Sequence, residues 1–191
     1  MILPILSYGH DLLRQKCSIV SEGYPELDQI IDNMWETLYS ANGMGLAAPQ
    51  IGKKIQLFIV DSHQVYEEMS EAERIDYFSG DEGIAQTFIN PVILEKSEDT
   101  WSDQESCLSI PLISEEVERS FTIRIEYFDR HLKKQTKNFS GITARIIQHE
   151  YDHLHGILFT EHLSGKTRKE ISGTLNRIAG GKITVKYNMV S

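Results

Sequence analysis

The sequence predicts an α+β fold, in which short mixed or antiparallel strands pack around a central helix that carries a His-Glu-x-x-His motif at residues 149–153. Strand-like segments are short and follow one another without the regular β-α-β alternation of a doubly wound sheet. The motif helix places isoleucine and histidine side chains on one face. A chain of 191 residues that is 40% apolar also suffices for one domain with a sizeable core.

One helix is predicted in the first half of the chain. It begins at Pro25 and ends at Asn42-Gly43, and its apolar residues recur at helical spacing: Leu27, Ile30, Ile31, Met34 and Leu38. The segment GMGLAAPQIG (43–52) is predicted to be a small-residue loop, and the short apolar run at 55–61 a buried strand. Residues 62–85 hold seven acidic residues against one basic residue, which predicts a solvated loop with a helical turn around 66–77.

Strands dominate the middle of the chain. The segment 87–95 is predicted to be a strand, and Pro91 within it predicts a sheet edge or a bulge. Short strands or turns are predicted at 106–118. Alternating apolar residues predict a further strand at 121–129, with a partner strand at 132–139 after a turn.

The motif helix begins at Ser140-Gly141, and Gly156 stands where a glycine typically ends a helix. The residues that share one face of this helix are spaced four, three and four positions apart: Ile142, Ile146, His149 and His153. The remaining residues 164–188 are basic and are predicted to include a short helix.

The motif predicts a metal site. Two histidines four residues apart on a helix present their rings side by side, so that both can bind one ion. Glu150 follows the first histidine and is placed to accept a proton from a water molecule without displacing either ligand. An ordinary amphipathic helix with two surface histidines is the alternative, but Ile142 and Ile146 put both rings on the buried face.

A catalytic site of this kind needs a third protein ligand. The extended motif of zinc proteases would require histidine at position 159, where the sequence has Phe159. Cys107 is a better candidate, because thiolate binds first-row divalent metals and a Cys-His-His set leaves one position open. The residues alone leave open the alternative that Cys107 is a small core residue.

Acyl hydrolysis also needs hydrogen-bond donors for an oxyanion. The segment GMGLAAPQ ends in Gln50, whose side-chain amide can donate, and its glycines let a substrate approach the main chain closely. A glycine-rich turn followed by a structural glutamine remains the alternative interpretation.

Three segments, taken together, closely resemble the signature motifs of the peptide deformylase family in their order and spacing: Gly43–Gln50, Glu105–Ser109 and Gln148–Leu154. The opening ILPILSYGHDLLR also resembles the start of that family, so the resemblance covers most of the chain. Members of the family remove the formyl group from N-formylmethionine at the start of nascent bacterial or organellar polypeptides. The resemblance implies three metal ligands: Cys107, His149 and His153.

The resemblance also implies roles for other residues. Glu150 would be the general base and proton shuttle, Gln50 and the backbone N–H of Leu108 would hold the oxyanion, and Gly45 would contact substrate through its main chain. Ferrous iron is the expected metal, with zinc, nickel or cobalt able to substitute, although mixed sulfur and nitrogen ligation by itself fits zinc. The sequence departs from the family at Ser106, where glycine is usual, and serine does not adopt positive φ cheaply.

Four further residues are expected around this site. Asp152 and Glu105 are predicted to orient or pair with site residues and not to bind metal. Ile146 and Tyr127 are predicted to line an apolar pocket for the methionine side chain.

We expect a catalytic domain at residues 1–165, with residues 166–191 forming a basic C-terminal extension of the same domain. The expected partners are N-formylmethionyl nascent peptides, and the basic segment could contact ribosomal RNA, unless it is simply a solvated terminal helix. A net charge of −9 argues against DNA binding, and no run is apolar enough for a membrane span. With no recognisable targeting segment, the expected location is cytoplasmic.

Two other functions stay open at this point. A zinc endopeptidase could use the same helix, and would need a third ligand downstream of His153. A catalytically inactive homologue could act as a binding module, for which Ser106 is the one supporting feature.

Overall fold

The computed structural model describes residues 1–78 and 81–191. The helices are α1 (Leu27–Ser40), α2 (His63–Glu68), α3 (Glu71–Phe78), α4 (Gly141–Leu154) and α5 (Gly165–Ala179). The strands are β1 (Ile5–Leu6), β2 (Gly45–Ala47), β3 (Leu57–Asp61), β4 (Ala85–Lys96), β5 (Thr100–Cys107), β6 (Ile110–Ser120), β7 (Thr122–Phe128), β8 (Lys134–Ser140) and β9 (Met189–Val190). Short 3-10 helices occupy Asp11–Arg14, Ala48–Ile51 and Phe159–Glu161.

The main sheet has five antiparallel strands in the order β2-β3-β4-β7-β8. Strand side chains alternate between its faces. Phe58 and Val60 therefore join the core beneath α4, while Leu57 and Ile59 join the core beneath α1. Because β3 is buried on both faces, it reads in the sequence as a continuous apolar run. The motif helix is thus held against one face of a sheet, as the predicted α+β fold requires.

A second unit is the long hairpin of β5 and β6, which packs with α5 in a separate core cluster. The hairpin is regular from the pair Thr100 and Ser120 to the pair Ser106 and Ser114. The register then shifts, and Cys107 pairs with Ile110. Residues 111–113 are left out of the ladder, in the irregular geometry typical of a bulge.

Several predicted elements are confirmed. The first helix, the buried strand at 55–61 and the strand pair at 121–139 appear as α1, β3, β7 and β8. The motif helix begins at Gly141 and ends at Leu154, before Gly156. The predicted bulge near Pro91 is present as a register shift between Ile89 and Val92. Among the described residues, no helix is long and apolar enough to cross a membrane.

Other predictions were wrong. The expected loop at 43–52 forms β2 and a 3-10 helix. The short strands or turns expected at 106–118 belong to the long β5–β6 hairpin, and the last helix is 15 residues long. The β2 strand and the register of the β5–β6 hairpin depend on which strand each one pairs with, and side-chain propensity alone does not specify that partner.

The structure of the acidic stretch at 62–85 differs most from its prediction as a solvated loop. It forms α2 and α3, while residues 79–80 lie outside the described part of the chain. Phe78 is fully buried and meets Tyr66 edge-on, with ring centroids 5.2 Å apart. The end of α3 also packs closely against the start of α4. The main chains approach so closely that a Cβ on Gly141 would lie 2.9 Å from the carbonyl carbon of Tyr77. A few buried aromatic side chains therefore hold this segment in place, although its acidic composition predicted a solvated loop.

A buried group of four charged side chains joins the β5–β6 hairpin to α4. Arg119 Nε and Nη2 donate to Glu105 Oε1 and Oε2 at 2.9 and 3.0 Å, and Arg119 Nη1 donates to Asp152 Oδ2 at 2.5 Å. Arg145 Nη1 donates to Glu105 Oε1 at 2.8 Å and also to the Val117 carbonyl. Two cations and two carboxylates balance one another where all four are buried.

The pKa values of both carboxyl groups in this buried group are lowered, as pairing with cations predicts. Burial by itself raises the pKa of Glu105, but hydrogen bonds from His149 and Arg119 outweigh it and hold that pKa well below the usual range. Burial likewise raises the pKa of Asp152, and a hydrogen bond from His162 and the charge of Arg119 bring it below its ordinary value. Both carboxylates are therefore charged when the protein is folded.

We expect Arg119→Ala to lower the free energy of unfolding by about 3–5 kcal/mol, because it removes the arginine that pairs with the buried carboxylate of Asp152 and one of the two that pair with Glu105. Urea denaturation of the metal-free protein measures this without a contribution from bound metal. The matched control is Arg124→Ala, whose ion pair with Glu95 has side chains 48% and 68% exposed. That variant should lose about 0–1 kcal/mol. Equal losses in the two variants would contradict a structural role for the buried group.

Candidate metal centre

Helix α4 presents the two motif histidines to the interior. His149 and His153 are 8% and 1% exposed, and their ring centroids lie 5.1 Å apart. His149 Nδ1 lies 3.0 Å from Glu105 Oε2, so its Nδ1 is engaged and its Nε2 is left for another partner. The carboxylate thereby fixes both the orientation of the ring and the nitrogen that it offers.

Cys107 reaches the same point from the end of β5. Its Sγ lies 3.3 Å from His153 Nε2, and the ligand atoms of Cys107, His149 and His153 all lie within 4.8 Å of one another. Tetrahedral ligation by nitrogen and sulfur sets such atoms about 3.3–3.6 Å apart. The pair of Cys107 and His153 has this spacing, and all three ligand atoms are close enough for one divalent transition-metal ion to draw them together.

The two histidines differ in their proton affinity. Burial lowers the pKa of His149, but hydrogen bonds with Cys107 and Glu105 outweigh it and raise that pKa well above 6.5. Burial and the charge of His149 lower the pKa of His153 to about 3. Two adjacent buried rings do not both carry a charge, and a metal requires both to be neutral, so metal binding must release a proton.

Glu150 is buried beside these ligands. Burial raises the pKa of its carboxyl to about 7, against the lowering effect of the charge on His149. Its Oε2 is buried and has no hydrogen-bond partner among the described residues. A carboxyl with a pKa near neutrality can both accept and return a proton, which is the property that a general acid–base needs.

Gly45 lies directly against that carboxyl. A Cβ at this position would be 2.8 Å from Glu150 Cδ, closer than real side chains approach. The glycine is therefore required by the position of Glu150, and it also lines the cavity in front of the site. The signal in the sequence was the small-residue segment, although its role as a packing surface for Glu150 was not foreseen.

Gln50 is fixed with its amide nitrogen toward the ligands. The Ala47 N–H donates to Gln50 Oε1 at 2.8 Å. Gln50 Nε2 donates to Ser109 Oγ at 3.1 Å and lies 3.6 Å from Cys107 Sγ. Leu108 follows Cys107 directly, so its backbone N–H and the Gln50 amide belong to the same small region.

A cavity of about 290 Å³ opens in front of these groups. Its polar side includes Cys107, His149 and Glu150, while Gln50 and His153 lie behind its lining. Its apolar lining includes residues of the two motif segments, of β6 and of α4: Met44, Leu108, Ile113, Ile142 and Ile146. The prediction that Ile146 lines this pocket is confirmed. The prediction for Tyr127 was wrong, because its hydroxyl donates to Gln86 at 2.5 Å within the main sheet and away from this cavity.

Two sequence observations acquire a structural explanation. Phe159, which stands where a protease would have its third ligand, stacks on the His149 ring with centroids 6.1 Å apart. Ser106 is exposed on β5, pairs with Ser114, and is not among the residues with positive φ. The serine at this position therefore causes no backbone strain.

Sequence reasoning missed four residues that surround the site. Arg119, Arg145 and His162 bind the carboxylates of Glu105 and Asp152. Tyr187, near the far end of the chain, lines the cavity and donates a hydrogen bond to the Leu108 carbonyl at 2.7 Å. Isolated charged or aromatic residues carry no motif, so nothing in the sequence distinguished these from surface residues.

Comparisons with known proteins agree with this geometry. The family model of polypeptide deformylase matches residues 2–169. A peptide deformylase of Christiangramia forsetii is 44% identical, covering 99% of this chain and 95% of its own length. One of Salinibacter ruber is 42% identical, covering 100% and 95%.

Solved structures show the same similarity. A peptide deformylase of Plasmodium falciparum aligns with a TM-score of 0.79 at 30% identity, covering 93% of this chain and 95% of that one. An actinonin-bound peptide deformylase of Acinetobacter baumannii gives 0.72 at 33% identity, covering 86% and 99%. From its fold, its three motifs and these relatives, the chain belongs to the peptide deformylase family of metal-dependent enzymes.

Proposed function

We propose that this chain removes the N-formyl group from formylmethionine at the start of nascent polypeptides and releases formate. One observation carries the proposal: Cys107, His149 and His153 converge beside the buried carboxyl of Glu150 at the polar side of a cavity whose remaining lining is largely apolar. We assign the first three residues as the ligands of the catalytic metal. When bound, the ion supplies a Lewis acid that lowers the pKa of water and polarises a carbonyl oxygen.

Glu150 carries the proton in this proposal. Its carboxylate accepts a proton from the attacking water, and the same carboxyl then gives it to the departing amine. Water thereby adds to the formyl carbon, the carbon–nitrogen bond breaks, and formate and a free amino group result. A pKa of about 7 supports both halves of this transfer at neutral pH.

Gln50 and Leu108 hold the developing negative charge. Gln50 Nε2 faces the ligands because Ala47 fixes the opposite end of its amide, and the Leu108 N–H lies next to Cys107 in the chain. Donors that are held in place before the reaction stabilise an oxyanion without a cost of reorganisation. Gly45 offers its main chain to the substrate, since no side chain covers it.

The methionine side chain occupies the apolar part of the cavity. Ile113, Ile142 and Ile146 supply branched aliphatic surface next to His149 and Glu150. Formyl is the smallest acyl group, so a closely packed site selects it by excluding acetyl.

Two alternative functions are not favoured. An endopeptidase of the zinc-protease type would need a ligand at Phe159, which instead stacks on His149. An inactive binding module would have lost a ligand, the base or a donor, whereas all are present here, and Ser106 sits in an unstrained strand.

Ferrous iron is the proposed native metal, with zinc, nickel or cobalt as substitutes. We also propose a cytoplasmic location, and ribosomal contact through residues 166–191 as an extension of the catalytic domain at 1–165. Buried residues of α5, among them Ile171 and Leu175, support its inclusion in one domain. The exposed Lys166, Arg168 and Lys169 on the same helix support the contact.

Glu150→Gln should leave one metal ion per chain but lower formate release from a formyl-Met-Ala peptide by about 100- to 10,000-fold, because it removes the proton carrier. Metal analysis and formate release are measured on the same anaerobic preparation. Glu67→Gln, on an exposed side chain of α2, is the control and should match the unaltered chain. Deformylation that survives in Glu150→Gln would refute the assigned base.

Cys107→Ala should weaken metal binding by more than about 100-fold, since the loss of a group that only orients a ligand already costs about 10- to 100-fold. Competition with a chelator measures the affinity. Cys17→Ala is the matched control, because Cys17 is also buried and its thiol pKa is raised to about 11 by burial in the core. Equal affinities in the two variants would exclude Cys107 as a ligand.

Anaerobic preparation should yield a chain that carries iron and loses activity in air, since a ferrous–thiolate site is open to oxidation. Mass spectrometry of the peptide with Cys107 should then show added oxygen, with none on the peptide with Cys17. Reconstitution with nickel should remove the sensitivity to air. A native preparation that holds zinc and is stable in air would overturn the proposal of iron.

A further inference from the structure

The turn that carries Leu108 has an unusual backbone. Leu108 and Ser109 form a two-residue turn between Cys107 and Ile110, which pair across the hairpin. Two-residue hairpin turns favour left-handed φ at one or both central residues, because that conformation matches the twist of the strands. Neither Leu108 nor Ser109 is among the described residues with positive φ. Contacts from outside the hairpin must therefore help to hold this turn.

Three such contacts are present, and each comes from a segment distant in sequence. The Tyr187 hydroxyl donates to the Leu108 carbonyl at 2.7 Å. The Tyr8 N–H donates to the Ser109 carbonyl at 2.7 Å, and Gln50 Nε2 donates to Ser109 Oγ at 3.1 Å. Both carbonyls of the turn are thus fixed from outside.

The segment that carries Tyr187 is itself anchored. Strand β9 pairs in parallel with β1 near the start of the chain. Ile5 N donates to the Asn188 carbonyl at 2.9 Å, and Ser7 N donates to the Val190 carbonyl at 2.8 Å. Tyr187 lies two residues before this strand, next to Asn188, whose carbonyl accepts from Ile5, so its position is set by main-chain hydrogen bonds.

The Tyr187 hydroxyl also remains protonated, so it can always donate its hydrogen bond. Burial, and to a smaller extent the charge of Cys107, raise the pKa of its hydroxyl to about 12, so it keeps its proton at neutral pH. Its ring lines the cavity beside Leu108 and Cys107. The family model matches only residues 2–169, so the segment that supplies this contact lies outside the matched part.

We propose that Tyr187 is a positioning residue for deformylation, acting through Leu108. Cys107 is held on one side of the turn by the His153 contact, and Tyr187 holds the Leu108 carbonyl on the other. The peptide group between Cys107 and Leu108 carries the N–H assigned to the oxyanion, and it is constrained from both ends. The inference rests on the proposed function, because it needs Leu108 to be an oxyanion donor.

Tyr187→Phe tests the inference, because it keeps the ring in the cavity and removes only the donor. The expected kcat for a formyl-Met-Ala peptide is lower by about 2- to 10-fold, which corresponds to one hydrogen bond, with KM nearly unchanged. Tyr127→Phe is the matched control. This variant also loses a tyrosine hydroxyl that donates a hydrogen bond, here the 2.5 Å bond to Gln86 Oε1, but Tyr127 lies away from the cavity.

Hydrogen exchange supplies a second measurement that does not depend on activity. In the metal-loaded protein, the segment 105–110 should exchange faster in Tyr187→Phe and at the original rate in Tyr127→Phe. Tyr187→Ala should combine the faster exchange with a raised KM, because it also removes part of the cavity wall.

The proposed function and the positioning role of Tyr187 are tested by different measurements and can fail independently. An unaltered, metal-loaded chain that releases no formate would refute the proposed function, and the exchange measurement would still report on the turn. An active chain whose kcat is unaffected by Tyr187→Phe, or falls equally in Tyr127→Phe, would overturn the inference. A change in KM alone would also overturn it, since Tyr187 would then be only part of the wall.

Discussion

The metal centre depends on one buried carboxylate. Glu105 fixes the Nδ1 side of His149, and its two oxygens also accept from Arg119 and Arg145. It stands on β5, two residues before Cys107, so the same strand carries one proposed ligand and the group that orients another. Other hydrogen bonds also join the hairpin to α4, among them those of Arg119 with Asp152 and of Arg145 with the Val117 carbonyl. Glu105 is the hairpin residue that contacts the His149 ring nitrogen and so fixes the rotation of that imidazole.

The charges of the site are set by burial and pairing in combination. Burial raises the pKa of Glu105 and of Asp152, but hydrogen bonds from His149 and His162, together with Arg119, outweigh it and keep both carboxylates ionised. Glu150 lies among the same elements but forms no ion pair among the described residues, and burial raises its pKa to about 7. Carboxyl groups close together on one helix and one hairpin thus differ in proton affinity, and that difference separates supporting residues from the proposed base.

Segments that seemed peripheral in the sequence contribute to this arrangement. The acidic stretch folds into α2 and α3, and Gln64 on α2 donates to the Gly43 carbonyl at 2.7 Å in the first motif. The final strand brings Tyr187 to the turn of the second motif. In both cases a motif segment is held by a residue whose type and position form no recognisable pattern, so neither contact is predictable from local sequence.

The local features of the site follow from the order of residues along the chain. Spacing along a helix places His149, Glu150 and His153 on α4, since a period of 3.6 residues is a property of the backbone. It also predicted the buried strand β3 and the α+β class. Other contacts depend on how distant parts of the chain pack together. Cys107 and His153 meet across 46 residues, Gln50 and Ser109 across 59, and Tyr187 and Leu108 across 79. Burial and long-range pairing set these contacts and the pKa of Glu150, and no periodicity in the chain encodes them.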